Sequence, residues 1–353
     1  MEMESTTIAG TKRPQVSEEK ALKRAKVDTI AEFVESNQLT GDKASWVGKS
    51  FISVGQLDRP AIDLAISLAA DMKTLVEDKG GDERMKGKVL ACVFYEPSTR
   101  TCSSFQAAMQ RLGGTTIYVT ESSSSVKKGE TLGDTMNCLA SYCDAIVLRH
   151  PRKGSAFEGA NAIEKPLLNA GDGPGEHPTQ ALLDLFTICT ELGGVEGKTI
   201  TLLGDLKYGR TVHSLVRLLK FFPGVKLNYV SPESLQMPGY VKEDVAAAGV
   251  EQNEMTTFEE VLPETDVLYV TRVQQERFED PEEYERVRGV YVVDAAALAA
   301  AKAPGAMVVM HPLPRVGEVA EDVDADPRAA YFRQMGYGMH MRMALLALAL
   351  GAA

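Results

Sequence analysis

From Lys88 to Met310 the chain alternates short apolar runs with longer amphipathic stretches, and this alternation limits the fold more tightly than any other feature. A short apolar run followed by a helix-length amphipathic segment is the pattern of a βαβ unit, whose strands lie parallel. A first series predicts strands near 88–93, 115–119, 144–148 and 166–169, with helices near 99–112, 130–141 and 155–162 between them. A longer helical stretch, His177 to Leu192, ends at Gly193-Gly194. A second series then predicts strands near 198–203, 225–230, 251–255, 267–270 and 307–310. Two segments lie outside the alternation: Ile62 to Leu75 has the 3-4 spacing of an amphipathic helix, and Tyr331 to Leu350 is apolar almost all round, as a buried helix covering the first unit would be. The expectation is an α/β protein of two parallel-sheet α/β domains with helices on both faces, joined by long helices. Residues 44–180 with 330–353 would form one domain, 181–329 the other, and 1–43 a leader or linker.

A length of 353 residues suits two domains, each large enough for its own core. No apolar run reaches the roughly 18 residues that span a bilayer, so no membrane partner is expected. The formal charge of −11 argues against nucleic acid as a partner and gives no long-range pull on anions, so an anion site must be built from local Arg and Lys. The five cysteines include no C-x-x-C pair, and an odd number without a secretory signal points to reduced thiols and a cytoplasmic location. Near the start, Lys12-Arg13 and Lys23-Arg24-Ala25-Lys26 are spaced too loosely for a good nuclear localisation signal and fit a solvated leader better.

Polar motifs fall where predicted strands end and helices begin, the place where parallel sheets gather function. After the first strand comes Glu96-Pro97-Ser98-Thr99-Arg100-Thr101. Free helix N-terminal amides, hydroxyls and one guanidinium would converge there on a phosphate, with charge-assisted bonds of about 1.5–3 kcal/mol each. After the second strand, the serine loop Glu121 to Ser125 runs into Lys127-Lys128-Gly129-Glu130. The third is followed by Arg149-His150-Pro151, and the fourth by a glycine-rich turn to His177-Pro178-Thr179-Gln180, with Pro178 at the favoured first helical position. In the second series, Gly204-Asp205 leads to Arg210, and Thr271-Arg272-Val273-Gln274 puts Arg272 and Gln274 on one side of an extended segment. The loop His311-Pro312-Leu313-Pro314-Arg315 has two prolines, which cannot donate, and is suited to offering carbonyl acceptors. The G-x-G-x-x-G spacing of a dinucleotide site is missing.

In order and spacing these seven motifs resemble the catalytic chain of the aspartate carbamoyltransferases, over about Phe51 to Leu350. The ending Tyr331-Phe332-Arg333-Gln334 and Arg342-Met343-Ala344-Leu345-Leu346, with Cys102, is most similar to the carbamoyltransferase domain of the eukaryotic multifunctional pyrimidine-pathway protein. The resemblance implies transfer of the carbamoyl group of carbamoyl phosphate to L-aspartate in pyrimidine biosynthesis, with no metal and no organic cofactor. It implies that Ser98, Thr99, Arg100 and Thr101 hold phosphate, that Arg149 bridges phosphate and carbonyl, and that His177 donates to the carbonyl oxygen. Gln180 and the carbonyls of Pro312 and Leu313 would orient the carbamoyl NH₂. Arg210, Arg272 and Gln274, with Leu313 and Lys128, would bind aspartate. Ser124 and Lys128 match loop residues donated by a neighbouring subunit, which implies a homotrimer, and Glu96 matches a carboxylate that pairs with Arg210 and Arg277 to hold the domains closed. Membership of a larger multienzyme is compatible with the same resemblance. Two alternatives are an ornithine carbamoyltransferase, whose last loop typically reads His-Cys-Leu-Pro where this chain has Pro312, and a silent domain kept for assembly or regulation.

Overall fold

The structure is a computed structural model that describes residues 27–278 and 280–353. In the first half, α1 (Ile30–Ser36) and α2 (Arg59–Lys79) precede β1 (Val89–Phe94), α3 (Thr99–Arg111), β2 (Thr115–Thr120), α4 (Leu132–Ala140), β3 (Ala145–His150), α5 (Ser155–Ala162) and β4 (Leu167–Asp172). Helix α6 (Pro178–Leu192) leads into β5 (Thr199–Leu203), α7 (Arg210–Leu219), β6 (Lys226–Val230), α8 (Gly239–Ala246), β7 (Glu251–Met255) and β8 (Val267–Val270). After them come α9 (Pro281–Val287), α10 (Ala295–Leu298), β9 (Val308–Met310) and α11 (Tyr331–Ala349). The strands form two sheets, ordered β2-β1-β3-β4 and β7-β6-β5-β8-β9, in which every pairing is parallel. The expected pair of parallel-sheet α/β domains is what the chain adopts.

Each inner strand is an apolar run because both of its faces are covered. In β1, Leu90 to Val93 have no exposed surface, and β8 is buried throughout. Helix α11 packs on α2, α3 and α6 and is buried along most of its length, as its apolar circumference predicts. Helix α6 contacts β4 on one side and α7 on the other, so its first turn lies between the sheets.

The leader expected over residues 1–43 includes folded structure. Helix α1 carries a capping box between Thr29 and Glu32, and Phe33 is buried in the first-half core against Phe157, at 5.8 Å between ring centroids. Leu39 is also buried. One buried side chain in seven residues gives no periodicity to read, but Thr29-Ile30-Ala31-Glu32 is a readable capping box. The basic pairs at 12–13 and 23–26 lie outside the described residues.

Candidate active site

The strand orders decide where the motifs meet. In the first sheet, β1 and β3 are neighbours whose chains leave in opposite directions, and β5 and β8 have the same relation in the second. Such switch points open a crevice at the carboxyl ends of the strands. Glu96 to Thr101 follow β1 and Arg149 ends β3, while Arg210 follows β5 and Arg272 follows β8. The two crevices face one another across a single cleft of about 990 Å³. Six arginines (Arg100, Arg149, Arg210, Arg272, Arg277 and Arg342) and two glutamates (Glu96 and Glu276) line it, so a chain of net charge −11 concentrates cations here.

In the Ser98-Thr99-Arg100-Thr101 motif, Ser98 occupies the N-cap of α3 but makes no side-chain cap bond, which leaves its hydroxyl and the first amides of the helix facing the cleft. Arg100 has its pKa lowered by burial and by Arg272. Burial, then the charge of Arg210, brings Arg149 down to about 10, so it stays protonated at neutral pH.

Glu96 sits among three of these arginines. Arg149 Nε approaches its Oε2 at 3.2 Å as an ion pair without hydrogen-bond alignment, Arg210 Nη2 lies at 3.4 Å, and Arg277 Nη2 lies 3.9 Å from Oε1. The partners Arg210 and Arg277 were expected; Arg149 was not. Arg210 also donates through Nη1 to the carbonyl of Gly173 at 2.6 Å. Its guanidinium lies over Gly171, where an added Cβ would come within 2.9 Å of Cζ.

His177 ends the turn before α6. Glu176 anchors that turn by accepting from Ser53 Oγ at 2.6 Å and from the Val54 amide at 2.9 Å. The His177 side chain is buried and its Nδ1 has no hydrogen-bond partner among the described residues. Burial, followed by the charges of Arg210, Arg149 and Arg342, holds its pKa well below the usual imidazole value. A neutral imidazole in that field can donate a hydrogen bond without acting as an acid. One turn on, Gln180 Nε2 donates to Asp184 Oδ1 at 2.9 Å, and the amide lines the cleft.

In the second half, buried Asp205 ties two loops together by accepting from the Tyr208 amide at 2.9 Å and the Gln274 amide at 3.3 Å. Gly204, at φ +115, must be glycine because a Cβ would sit 2.2 Å from the Thr271 carbonyl. Arg272 pairs with Glu276, donating from Nη1 to Oε2 at 3.0 Å, so a substrate carboxylate would share or displace that partner. At the last loop, Leu313 takes a left-handed backbone, φ 57, and the Leu313–Pro314 peptide is cis. His311 Nδ1 accepts the Leu313 amide at 2.7 Å, which leaves Nε2 to donate to Glu318 Oε1, also at 2.7 Å.

The cleft therefore brings together Glu96, Ser98, Thr99, Arg100, Thr101, Arg149, His177, Gln180, Arg210, Arg272, Gln274, Arg277, Pro312 and Leu313. Ser124 and Lys128 are not in its lining; they lie on the loop between β2 and α4, where Lys128 is exposed. Among the described residues no group of three or more His, Cys, Asp or Glu side chains is placed to hold a metal.

Two family models match the chain in tandem. The carbamoyl-P binding domain of aspartate/ornithine carbamoyltransferase covers residues 49–190, and the Asp/Orn binding domain covers 196–349. This chain belongs to the aspartate/ornithine carbamoyltransferase family. The multifunctional protein pyr1-3 of Dictyostelium discoideum is 55% identical over 308 residues, which are 87% of this chain and 14% of that protein. The chain thus spans about one-seventh of the length of that multifunctional relative. The aspartate carbamoyltransferase catalytic subunit of Thermococcus onnurineus is 48% identical over 87% of this chain and 98% of its own length. The aspartate transcarbamoylase of Trypanosoma cruzi, solved with carbamoyl phosphate and aspartate, superposes with a TM-score of 0.83 at 46% identity, covering 87% of this chain and 98% of that one.

Sequence reasoning missed Asp184, Glu276 and Arg342. Asp184 had a signal: it is a carboxylate in the apolar stretch Ala181 to Phe186, one turn past Gln180. Arg342 likewise interrupts apolar α11; it is buried, lines the cleft and stacks on Phe105 at 5.2 Å.

Proposed function

We propose that this chain transfers the carbamoyl group of carbamoyl phosphate to the amine of L-aspartate, giving N-carbamoyl-L-aspartate and phosphate, as a step of pyrimidine biosynthesis. The observation that carries the reading is the placing of Arg272 and Arg210, from one sheet, opposite the Ser98-Thr99-Arg100-Thr101 motif of the other in a single cleft. A substrate with a phosphate at one end and an acceptor with two carboxylates fit such a cation-lined gap. Carbamoyl phosphate carries its own leaving group, so no enzyme nucleophile is needed. Holding both reactants contributes about 7–11 kcal/mol, and donors aimed at the developing carbonyl charge contribute about 10²–10³-fold each. In this reading Arg100, Thr101 and Arg149 stabilise the phosphate, neutral His177 donates to the carbonyl oxygen, and the departing phosphate takes the amine proton.

An assay with carbamoyl phosphate and either aspartate or ornithine tests this. Carbamoylation of aspartate alone is expected; turnover only with ornithine would reassign the acceptor, and no turnover with either would leave a silent domain.

The same proposal includes a homotrimer in which Ser124 and Lys128 serve a neighbour's site, supported by their position outside this chain's own cleft lining. Lys128→Ala and Arg100→Ala proteins should each be nearly inactive, and remixed chains should regain about a quarter of their sites by random assembly. No recovery in verified mixed trimers would remove Lys128 from the shared site. A place in a larger pyrimidine-pathway multienzyme is supported by the identity to the multifunctional relatives.

A further inference from the structure

A buried chain of hydrogen bonds runs behind the cleft, and a backbone group fixes its polarity. The amide of His311 can only donate, and it donates to Gln334 Oε1 at 3.0 Å. Gln334 must therefore present its NH₂ in the other direction, where Nε2 donates to Asp184 Oδ1 at 2.7 Å. The same oxygen accepts Gln180 Nε2 at 2.9 Å, and Oδ2 accepts the Tyr269 hydroxyl at 2.8 Å. Asp184, Gln334 and Tyr269 have no exposed surface, so none of these bonds can be exchanged for water. With its nitrogen committed to Asp184, Gln180 has only Oε1 to offer the cleft it lines.

We infer that Asp184, locked by Gln334, is the positioning residue that makes Gln180 an acceptor and so selects a carbamoyl group over an acyl group of the same shape. The inference rests on the function proposed above. Carbamoyl and acetyl phosphate differ by NH₂ against CH₃: one brings two donors, the other none. An acceptor aimed at that position favours the first and is left unpaired by the second. An amide turned the other way would point N–H at the NH₂ group and lose the distinction. Asp184 also reaches the second set of acceptors, since Gln334 holds the His311 amide at the head of the loop carrying the Pro312 and Leu313 carbonyls. One side chain on α6 thereby sets both sides of the carbamoyl amine site, and its partners come from β8 and α11.

The readout is the ratio of the dissociation constants of acetyl phosphate and carbamoyl phosphate, measured by calorimetry on the intact protein. Wild type should favour carbamoyl phosphate by about tenfold or more. In Asp184→Ala, Gln180 loses the acceptor that orients it, and the ratio should collapse toward one through weaker carbamoyl phosphate binding, with acetyl phosphate little changed. Asp184→Asn can keep an oxygen toward both glutamines and turn its nitrogen to the Tyr269 hydroxyl, so it should retain most of the ratio. A folded alanine variant that weakens both ligands equally would reduce Asp184 to a structural role and overturn the inference. If that variant does not fold, Gln334→Leu decides: it cuts the lock, and an unchanged ratio in the folded protein overturns the inference equally. Turnover with aspartate is measured alongside. Its absence in wild type would reject the proposed function, while the binding ratio would still judge the positioning.

Discussion

Arg210 and Glu96, on opposite halves of the molecule, meet across the cleft with Nη2 3.4 Å from Oε2. The same carboxylate also draws in Arg149 and Arg277, so one anion offsets three cations at the point where the halves touch. Removing one member of a partly buried group leaves the others uncompensated, which costs more than the pair contributes. Glu96→Gln keeps the shape and deletes the charge. Its kcat/KM for aspartate should fall by about tenfold or more, with carbamoyl phosphate affinity within about threefold of wild type. Steady-state kinetics and calorimetry check this, and an unchanged kcat/KM for aspartate would contradict it.

Arg100→Lys retains the charge at the head of α3 but loses the planar fork that, in the proposed function, would meet two phosphate oxygens at once. Turnover should drop by about 10²-fold or more, with urea stability within about 0.5 kcal/mol of wild type. Near wild-type turnover in the folded variant would remove Arg100 from the phosphate site.

If Arg272 binds aspartate as proposed, Glu276 would compete with it, because its carboxylate already holds that guanidinium. An exposed pair of this kind is worth about 1 kcal/mol or less. Glu276→Gln should therefore lower the KM for aspartate by no more than about fivefold, whereas Arg272→Ala should raise it by far more. A higher KM in the glutamine variant would show that Glu276 orients Arg272 rather than competing for it.

Gly171, at φ +115, lies under the Arg210 guanidinium. Alanine there would strain the backbone and push Arg210 away from both Glu96 and the Gly173 carbonyl. Gly171→Ala should weaken aspartate more than carbamoyl phosphate, because Arg210 is assigned to the acceptor. Equal weakening of the two would place the damage in the first-half loop itself.

His213 sits on α7, three residues past Arg210, with Nε2 2.7 Å from the Leu206 carbonyl. Burial first, and Arg217 after it, takes its pKa from 6.5 down to about 4, despite the carbonyl. The unfolded chain then takes up a proton before the folded one, so this site removes stability as pH falls from about 6.5 to 4. By pH 5 the loss should be about 2 kcal/mol. His213→Gln keeps a donor for Leu206 and cannot titrate, so its stability should fall less than that of wild type between pH 7 and pH 5 by that amount. Parallel urea curves at the two pH values measure it; equal losses would mean His213 is protonated in the fold.

Much of the architecture was legible because parallel strands buried on both faces are written as continuous apolar runs. All nine strands, from β1 at Val89–Phe94 to β9 at Val308–Met310, lie where they were expected, although the edge strand β7 reads Glu251-Gln252-Asn253-Glu254-Met255 and is largely exposed. The short helices α8, α9 and α10 did not stand out, since each buries only one or two side chains, too few to mark a face. Among the cleft residues, those at strand ends were readable, because local order alone places them beside a helix start.

The sequence by itself determined which segments become strands, where the polar loops fall and which side chains those loops carry, since each depends on neighbours within a few residues. Only the tertiary structure decided that β8 lies beside β5 and β3 beside β1, and so that the loops after them share one cleft. It alone turned Gln180, because the partners that fix the Asp184 carboxylate, Tyr269 and Gln334, are 85 and 150 residues away along the chain. A hydrogen-bond acceptor takes its direction from whatever is packed against it, and packing over such separations is not written in local pattern.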